Sequence, residues 1–212
     1  MDSDAVRREW AERSGAYSPA YYAHLGPNET SDVIRRTLER FLPRDAPVLE
    51  LGCSSGRHLS HLHDHGFTDL AGVELNPEAF EVMADAYPEL ADAGTFYRCS
   101  IEDLLGDVAA DRFAAVVSVE TLQHLHPDAA WVLEDLSRVT TDLLVAAENE
   151  GREDPERPTP EVTYVDGAFP LYFRDWEAVF TRRGFETIDA APGQRNTVRT
   201  FRTTSAAAGR TT

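Results

Sequence analysis

Val48-Leu49-Glu50-Leu51-Gly52-Cys53-Ser54-Ser55-Gly56-Arg57-His58-Leu59 passes from an apolar run through an acid and a small-residue turn into a helical pattern. The run from Pro47 to Leu51 has the length and composition of a buried parallel strand. The small residues after it let backbone N–H groups come close to a ligand at a helix start. The stretch therefore reads as a strand-turn-helix that cradles a nucleotide. A dinucleotide turn of the form G-x-G-x-x-G needs its third glycine so that the helix can pack on the strand. Counted from Gly52, that position holds Arg57, which argues against a nicotinamide oxidoreductase.

The small positions fall instead at Gly52, Ser54 and Gly56, with Glu50 two residues ahead of the first glycine. This pattern resembles motif I of the class I S-adenosylmethionine-dependent methyltransferases, E/D-x-G-x-G-x-G, with Ser54 at the middle glycine. Three later segments fall where that family places its own. Leu70-Ala71-Gly72-Val73-Glu74-Leu75 is a second apolar strand ending in an acid, followed by Asn76-Pro77-Glu78 as a helix start. Phe96 to Leu104 resembles the third strand and the adenine-binding turn. Phe113 to Leu125 resembles the fourth strand and the stretch after it, here Glu120-Thr121-Leu122-Gln123-His124-Leu125. The resemblance covers residues 29 to 203. It implies an α/β fold with a seven-stranded, mostly parallel sheet of order 3-2-1-4-5-7-6, an antiparallel last strand, and helices on both faces.

It also implies a site. Ligands of open α/β sheets bind beyond the carboxyl ends of the strands, where Glu50, Gly52, Glu74, Ser100 and Ser118 converge. Glu50 is expected to order the turn and to face the cofactor's ammonium through water. Gly52, Cys53, Ser54 and Gly56 admit its methionine portion, and Arg57 pairs with its carboxylate. Glu74 accepts from the ribose hydroxyls, with Leu75 beside it. The adenine amino group is divided between Ser100, where the family usually has Asp, and Glu102, with Ile101 between them. Tyr17, Tyr21 and Tyr22 are expected to form a lid near the sulfonium, Tyr22 on the cofactor and the other two on the acceptor. Glu120 and His124 are the candidate bases. Glu148, Asn149, Tyr164, Phe169, Tyr172 and Arg174 are candidate acceptor-pocket residues by position.

The pass along the chain gives alternating strands and helices from Pro47 onward, as a parallel sheet requires. Ahead of it, Ala5 to Ser14 has helical spacing, and Asn28-Glu29-Thr30-Ser31 supplies capping chemistry for a helix with Val33, Ile34, Leu38, Phe41 and Leu42 on one face. A fifth strand is expected at Asp142 to Asn149, then one long loop from Glu150 to Pro170. After the loop come a helix ending before Gly184 and a hairpin of Phe185 to Ala190 with Thr197 to Phe201. The expected domains are 1–28 as a helical and aromatic lid segment, 29–203 as the methyltransferase domain and 204–212 as a flexible tail.

The 212 residues fit one domain. No apolar stretch spans a bilayer and the acidic N-terminus is unlike a signal, so a cytoplasmic location is expected. The two cysteines, Cys53 and Cys99, fit a reducing compartment without disulfides. The net charge of −17 disfavours nucleic acid, which is gripped through cations. All 20 basic residues are arginine; this balance resembles proteins of salt-loving organisms, and genomic base composition explains it equally well. His58, His61, His63 and His65 crowd one helix, but no ligand spacing completes a metal site, and a solvated face is expected. No metal is expected, and the sole cofactor is S-adenosylmethionine. The leading expectation for the acceptor is a small molecule; no N/D-P-P-Y/F motif marks adenine-N6 or glutamine methylation, no Pro-Cys pair marks cytosine-C5 chemistry, and the acceptor's identity stays open. The alternatives are a non-catalytic S-adenosylmethionine-binding regulator, and a methyltransferase acting on protein or RNA.

Overall fold

The computed structural model describes residues 2–151, 161–167, 169–193 and 196–205. Its main sheet has seven strands: β1 (Val48–Leu51), β2 (Leu70–Glu74), β3 (Thr95–Arg98), β4 (Phe113–Val119), β5 (Thr140–Glu148), β8 (Phe185–Pro192) and β9 (Thr197–Thr203). Their order is β3-β2-β1-β4-β5-β9-β8. The pairs among β1 to β5 are parallel, and β9 runs antiparallel to both β5 and β8. This is the expected order, with the last two strands renumbered because a further pair precedes them.

Side chains alternate across a strand, so each strand feeds two cores. Leu49, Leu51, Val116, Leu144 and Ala146 point to one face, where they meet Leu104 and Leu105 of α7 (Ile101–Asp107), Leu136 of α8 (Trp131–Val139) and Phe180 of α9 (Trp176–Thr181). Val48, Ala115, Val117, Val145 and Ala147 point to the other face. There they meet Ile34 and Leu38 of α3 (Glu29–Phe41), Leu59 and Leu62 of α4 (Arg57–Asp64), Met83 of α5 (Glu78–Ala86) and Leu90 of α6 (Pro88–Ala93). With both faces covered, the strand ends are left as the place for a site. The capping box ahead of α3 is present, since Asn28 Oδ1 accepts from Ser31 N while Ser31 Oγ accepts from Asn28 N.

Three boundaries differ from expectation. The segment read as one long loop contains β6 (Val162–Val165) and β7 (Phe169–Tyr172), an antiparallel pair outside the main sheet. Its turn has Asp166 and Gly167 at positive φ, so a short hairpin was written there in residues that read as charge and proline. Residues 152–160 of the expected loop lie outside the described residues. The N-terminal segment forms α1 (Ser3–Ala11) and α2 (Pro19–Leu25). At the other end Thr204 N donates to Gly184 O, which ties the start of the expected tail to the sheet; residues 206–212 lie outside the described residues. Among the described residues no helix is long and apolar enough to cross a membrane.

Candidate functional site

The strand ends of β1, β2 and β4 open into a cavity of about 250 Å³. Its floor is the β1–α4 turn with Glu50, Gly52, Cys53, Ser54 and Arg57; Glu74 and Leu75 follow β2, and Cys99, Ser100, Ile101 and Glu102 follow β3. Val119 at the end of β4 borders it with Glu120, Thr121, Gln123 and His124 beyond, and Asn149 follows β5. Val6 and Trp10 of α1, Tyr17, Tyr22, and Val165 and Leu171 of the β6–β7 hairpin also line it, together with Ser3, Arg7, His58, Val73, Leu125 and His126.

The β1–α4 turn is shaped by its neighbours. Gly52 has φ +61, and a Cβ there would lie 2.5 Å from Thr121 Oγ1 and 2.6 Å from Thr121 Cγ2. The residue must be glycine because the β4 turn packs against it, a reason internal to the protein. Gly56 has φ +81, and a Cβ would come within 2.9 Å of Leu90 and 3.0 Å of Met83; it seats α4 on its neighbours and does not line the cavity.

Glu74 Oε2 accepts from Ser54 N (3.0 Å), and its Oε1 accepts from Leu75 N (2.6 Å) and Asn76 N (2.8 Å). The carboxylate thus ties two turns together and keeps a lone pair on Oε2, for two acceptor sites exist per oxygen. Burial raises its pKa despite these three donors. Glu50, 1% exposed, has no partner on Oε2 among the described residues. Burial pushes its pKa up to about 8, against the pull of Arg57. A buried carboxylate without donors is costly, so this oxygen fits a ligand that brings an N–H or ammonium group. Arg57 lies over the Tyr22 ring at 4.7 Å, joining α2 to the turn. After β3, Ser100 Oγ accepts from Asp103 N and donates to Asp103 Oδ2, so the serine is the N-cap of α7 with its proton committed. The Glu102 carboxylate, 3.4 Å from Arg7 Nη1, is the freer acceptor of the two.

Beyond β4, Glu120 has φ +49, held by its N–H donating to Ala147 O (2.9 Å), and its Oε1 accepts from Asn196 Nδ2 at 3.4 Å. Non-glycine residues in this region store strain that clusters at sites. Of the two roles open to His124, a base or a packing and hydrogen-bonding residue, the geometry favours the second. Its Nδ1 donates to Pro170 O (2.7 Å), and its Nε2 accepts from Gln123 Nε2 (3.3 Å). The direction follows from Gln123 Oε1, which accepts from Asn149 N (2.8 Å) and leaves the amide nitrogen facing the ring. Burial lowers the His124 pKa to about 4. With both ring nitrogens engaged, His124 has no lone pair for an acceptor's proton, which withdraws it as a base. It clamps the hairpin to the turn instead.

Several expected residues are absent from the lining. Ser118 Oγ donates to Glu148 Oε1 (2.6 Å) deep in the sheet, and that carboxylate also accepts from Thr121 N, Leu122 N and Gln123 N. Glu148 therefore organises the β4 turn from behind, and Arg174 does so by donating to Leu122 O and Leu125 O. Tyr172 stands edge-on to His126, Tyr164 is exposed, and Tyr21 lies on the outside against Tyr17 and Tyr22. Phe169 packs behind Trp10. The histidine cluster disperses. His58 is buried, with Nδ1 at 2.7 Å from Ser31 Oγ and a pKa lowered by burial to about 3. That corrects the expected solvated face; His61 pairs with Asp32, and His65 Nδ1 donates to His61 O.

Trp10, Gln123, Val165 and Leu171 line the cavity without having been expected to. Trp10 sits between His124 (4.7 Å) and Phe169 (4.5 Å), and Arg13 joins the same cap by donating to Asp166 Oδ2 (2.8 Å) and lying over Phe169 (4.4 Å). The pairing of an N-terminal helix with a hairpin some 150 residues away has no local signal, since |i−j| for Arg13 and Asp166 is 153.

Residues 48–142 match the family model described as "Methyltransferase domain". Among solved structures, 1,6-didemethyltoxoflavin-N1-methyltransferase of Burkholderia thailandensis, with 1,6-didemethyltoxoflavin and S-adenosylhomocysteine bound, has a TM-score of 0.65 at 20% identity, over 83% of this chain and 79% of that one. Magnesium protoporphyrin IX methyltransferase of Synechocystis, with S-adenosylmethionine bound, has a TM-score of 0.61 at 14% identity, over 94% and 90%. At these identities the likeness is one of fold. The EEF1A lysine methyltransferase 2 of Mus musculus is 28% identical over 81 residues, 38% of this chain and 33% of the mouse protein. The chain thus spans about a third of the length of that relative.

Proposed function

We propose that the chain is a class I methyltransferase, as the match of residues 48–142 supports, and that it moves a methyl group from S-adenosylmethionine to an N, O or S atom of a small-molecule acceptor by direct displacement. The observation that carries this reading is the roofed cavity at the strand ends, where the β1–α4 turn, Glu74 and the β4 turn converge under Trp10 and the hairpin.

The residues present fit the cofactor. Glu50 Oε2 is the acceptor for its amino group, Arg57 the partner for its carboxylate, and Glu74 Oε2 the acceptor for a ribose hydroxyl, with Glu102 the better placed of the two candidates for the adenine amino group. Bound there, S-adenosylmethionine supplies a methyl carbon made electrophilic by a positively charged sulfur. The chain's own work is positioning and proton removal. Residues 1–28 act as a lid with the hairpin, keeping water away from the reacting atoms. Glu120, the carboxylate at the β4 end of the cavity, takes the proton that an N–H, O–H or S–H acceptor must lose.

A small acceptor follows from the roof, because Trp10, Val165 and Leu171 would stand between a macromolecular chain and the cavity. Thermal melts test the reading first. At a hundredfold excess of S-adenosylhomocysteine over its dissociation constant, stability should rise by about 2.7 kcal/mol, and Glu74→Ala should remove most of that gain. Labelled methyl donor given to small-molecule and protein fractions of a cell extract then identifies the acceptor. Binding without turnover on any fraction would favour a regulatory protein, and label in the protein fraction would overturn the small-molecule acceptor.

A further inference from the structure

The two ends of the cavity differ in chemistry. At the β1–β3 end the lining carries three carboxylates, Glu50, Glu74 and Glu102. At the β4–β5 end, beside the Glu120 carboxylate, runs a row of neutral groups, linked Asn149 to Gln123 (2.8 Å), Gln123 to His124 (3.3 Å) and His124 to Trp10 (4.7 Å between rings). Donors remain on this wall after its internal bonds are satisfied. Trp10 Nε1 is buried and has no partner among the described residues. The Gln123 amide nitrogen spends one of its two hydrogens on His124. Asn149 Oδ1 accepts from Gly151 N, while its Nδ2 has no partner among the described residues.

Arg57, over the Tyr22 ring at 4.7 Å, and Arg7 bring positive charge to the same cavity from its β1–β3 side. His124 is neutral, and the Tyr22 hydroxyl, pushed up to about 12 chiefly by burial, stays protonated as one more neutral donor. Behind the wall, Glu148 is met by four donors and the Arg174 guanidinium by two carbonyls. Glu120 is the one carboxylate lining the β4–β5 end among the described residues, and it is the group assigned to proton removal.

Building on the methyltransferase reading above, we propose that the acceptor is an uncharged, flat ring compound bearing carbonyl oxygens or ring nitrogens, which accept from Trp10 Nε1, Gln123 Nε2 and Asn149 Nδ2. The physical reason is the cost of mismatch. A desolvated donor left without an acceptor is costly, and a charged ligand buried among neutral groups costs more. A site made of hydrogen-bond donors therefore discriminates by what the ligand can accept, while its apolar and aromatic walls, Leu171, Val165 and Trp10, favour a flat body.

Calorimetric titration with three probes tests this, each with and without saturating S-adenosylhomocysteine. Lumazine is the neutral dicarbonyl ring, tryptamine the cation and indole-3-acetate the anion. Lumazine should bind at least tenfold more tightly than either charged probe. Trp10→Phe keeps the ring and removes the N–H, and Asn149→Ala removes the amide; each should weaken lumazine tenfold or more and leave S-adenosylhomocysteine affinity within twofold. The proposal is overturned if lumazine fails to bind, if a charged probe binds as well, or if both variants hold lumazine like the parent. Lumazine binding to a protein that ignores S-adenosylhomocysteine would instead overturn the cofactor reading and leave the acceptor site standing.

Discussion

Glu50 at the end of β1 and Glu148 at the end of β5 are equally buried, 1% and 0% exposed, and opposite in their surroundings. Glu148 is met by Ser118 Oγ and three backbone N–H groups, while Glu50 Oε2 has no partner among the described residues. Both are held above the usual carboxylate range by burial, Glu50 to about 8 and Glu148 to about 7. The lesson is that burial alone does not assign a role. An acid whose lone pairs are filled by its own chain is structure, and one with a lone pair left over faces whatever enters the cavity.

The sharpest way to break this contrast is Glu148→Ala. It strands the donors of the β4 turn and should destabilise the protein by about 3–5 kcal/mol in chemical denaturation. Glu148→Gln should be no rescue, because its NH₂ group would face backbone N–H groups. A loss below about 1 kcal/mol would mean that the turn holds itself.

Glu50→Gln should do the reverse, sparing stability near neutral pH and weakening the cofactor. The sign with pH is definite. Glu50 has its folded pKa raised from 4.5 to about 8, so its contribution is complete below about pH 4.5 and is lost as pH climbs to about 8, at up to about 1.4 kcal/mol per pH unit. The variant should flatten that alkaline decline, and so should saturating S-adenosylhomocysteine, whose ammonium favours the charged acid. A decline unchanged by either would remove Glu50 from the ligand's surroundings.

A smaller effect separates packing from ligand contact at the first turn. Gly52→Ala should cost about 1–3 kcal/mol through the clash with Thr121 and its positive φ. Thr121→Ala removes the two nearest atoms, so the double variant should recover part of that loss. Strict additivity would show that the close approach is not what requires glycine. The smallest effect belongs to the cap: Asp166→Asn removes an ion pair whose acid is half-exposed, and should change stability by about 0.5 kcal/mol or less.

Much of this molecule was legible because its signals are local. The strands β1, β2, β4 and β5 are largely apolar runs, the cap Asn28 precedes its helix, and the strand order came out as expected. The first turn and Glu74 line the cavity at the strand ends because parallel strands bring their carboxyl ends together. Illegible from the sequence were the β6–β7 hairpin, the Trp10 wall, and the withdrawal of His124, Glu148 and Arg174 into support of the β4 turn. His124 and Glu120 look alike as candidates on a line of residues; only the neighbours of each ring nitrogen and each oxygen tell them apart.

By itself, then, the sequence determined the alternating architecture and the glycine-lined turn with its paired acids, since hydrophobic period and turn chemistry act over a few residues. The tertiary structure decided which buried polar groups were already satisfied and which two distant segments met as a roof. Those outcomes depend on hydrogen-bond partners and packing contacts tens to more than a hundred residues apart, and no local pattern carries them.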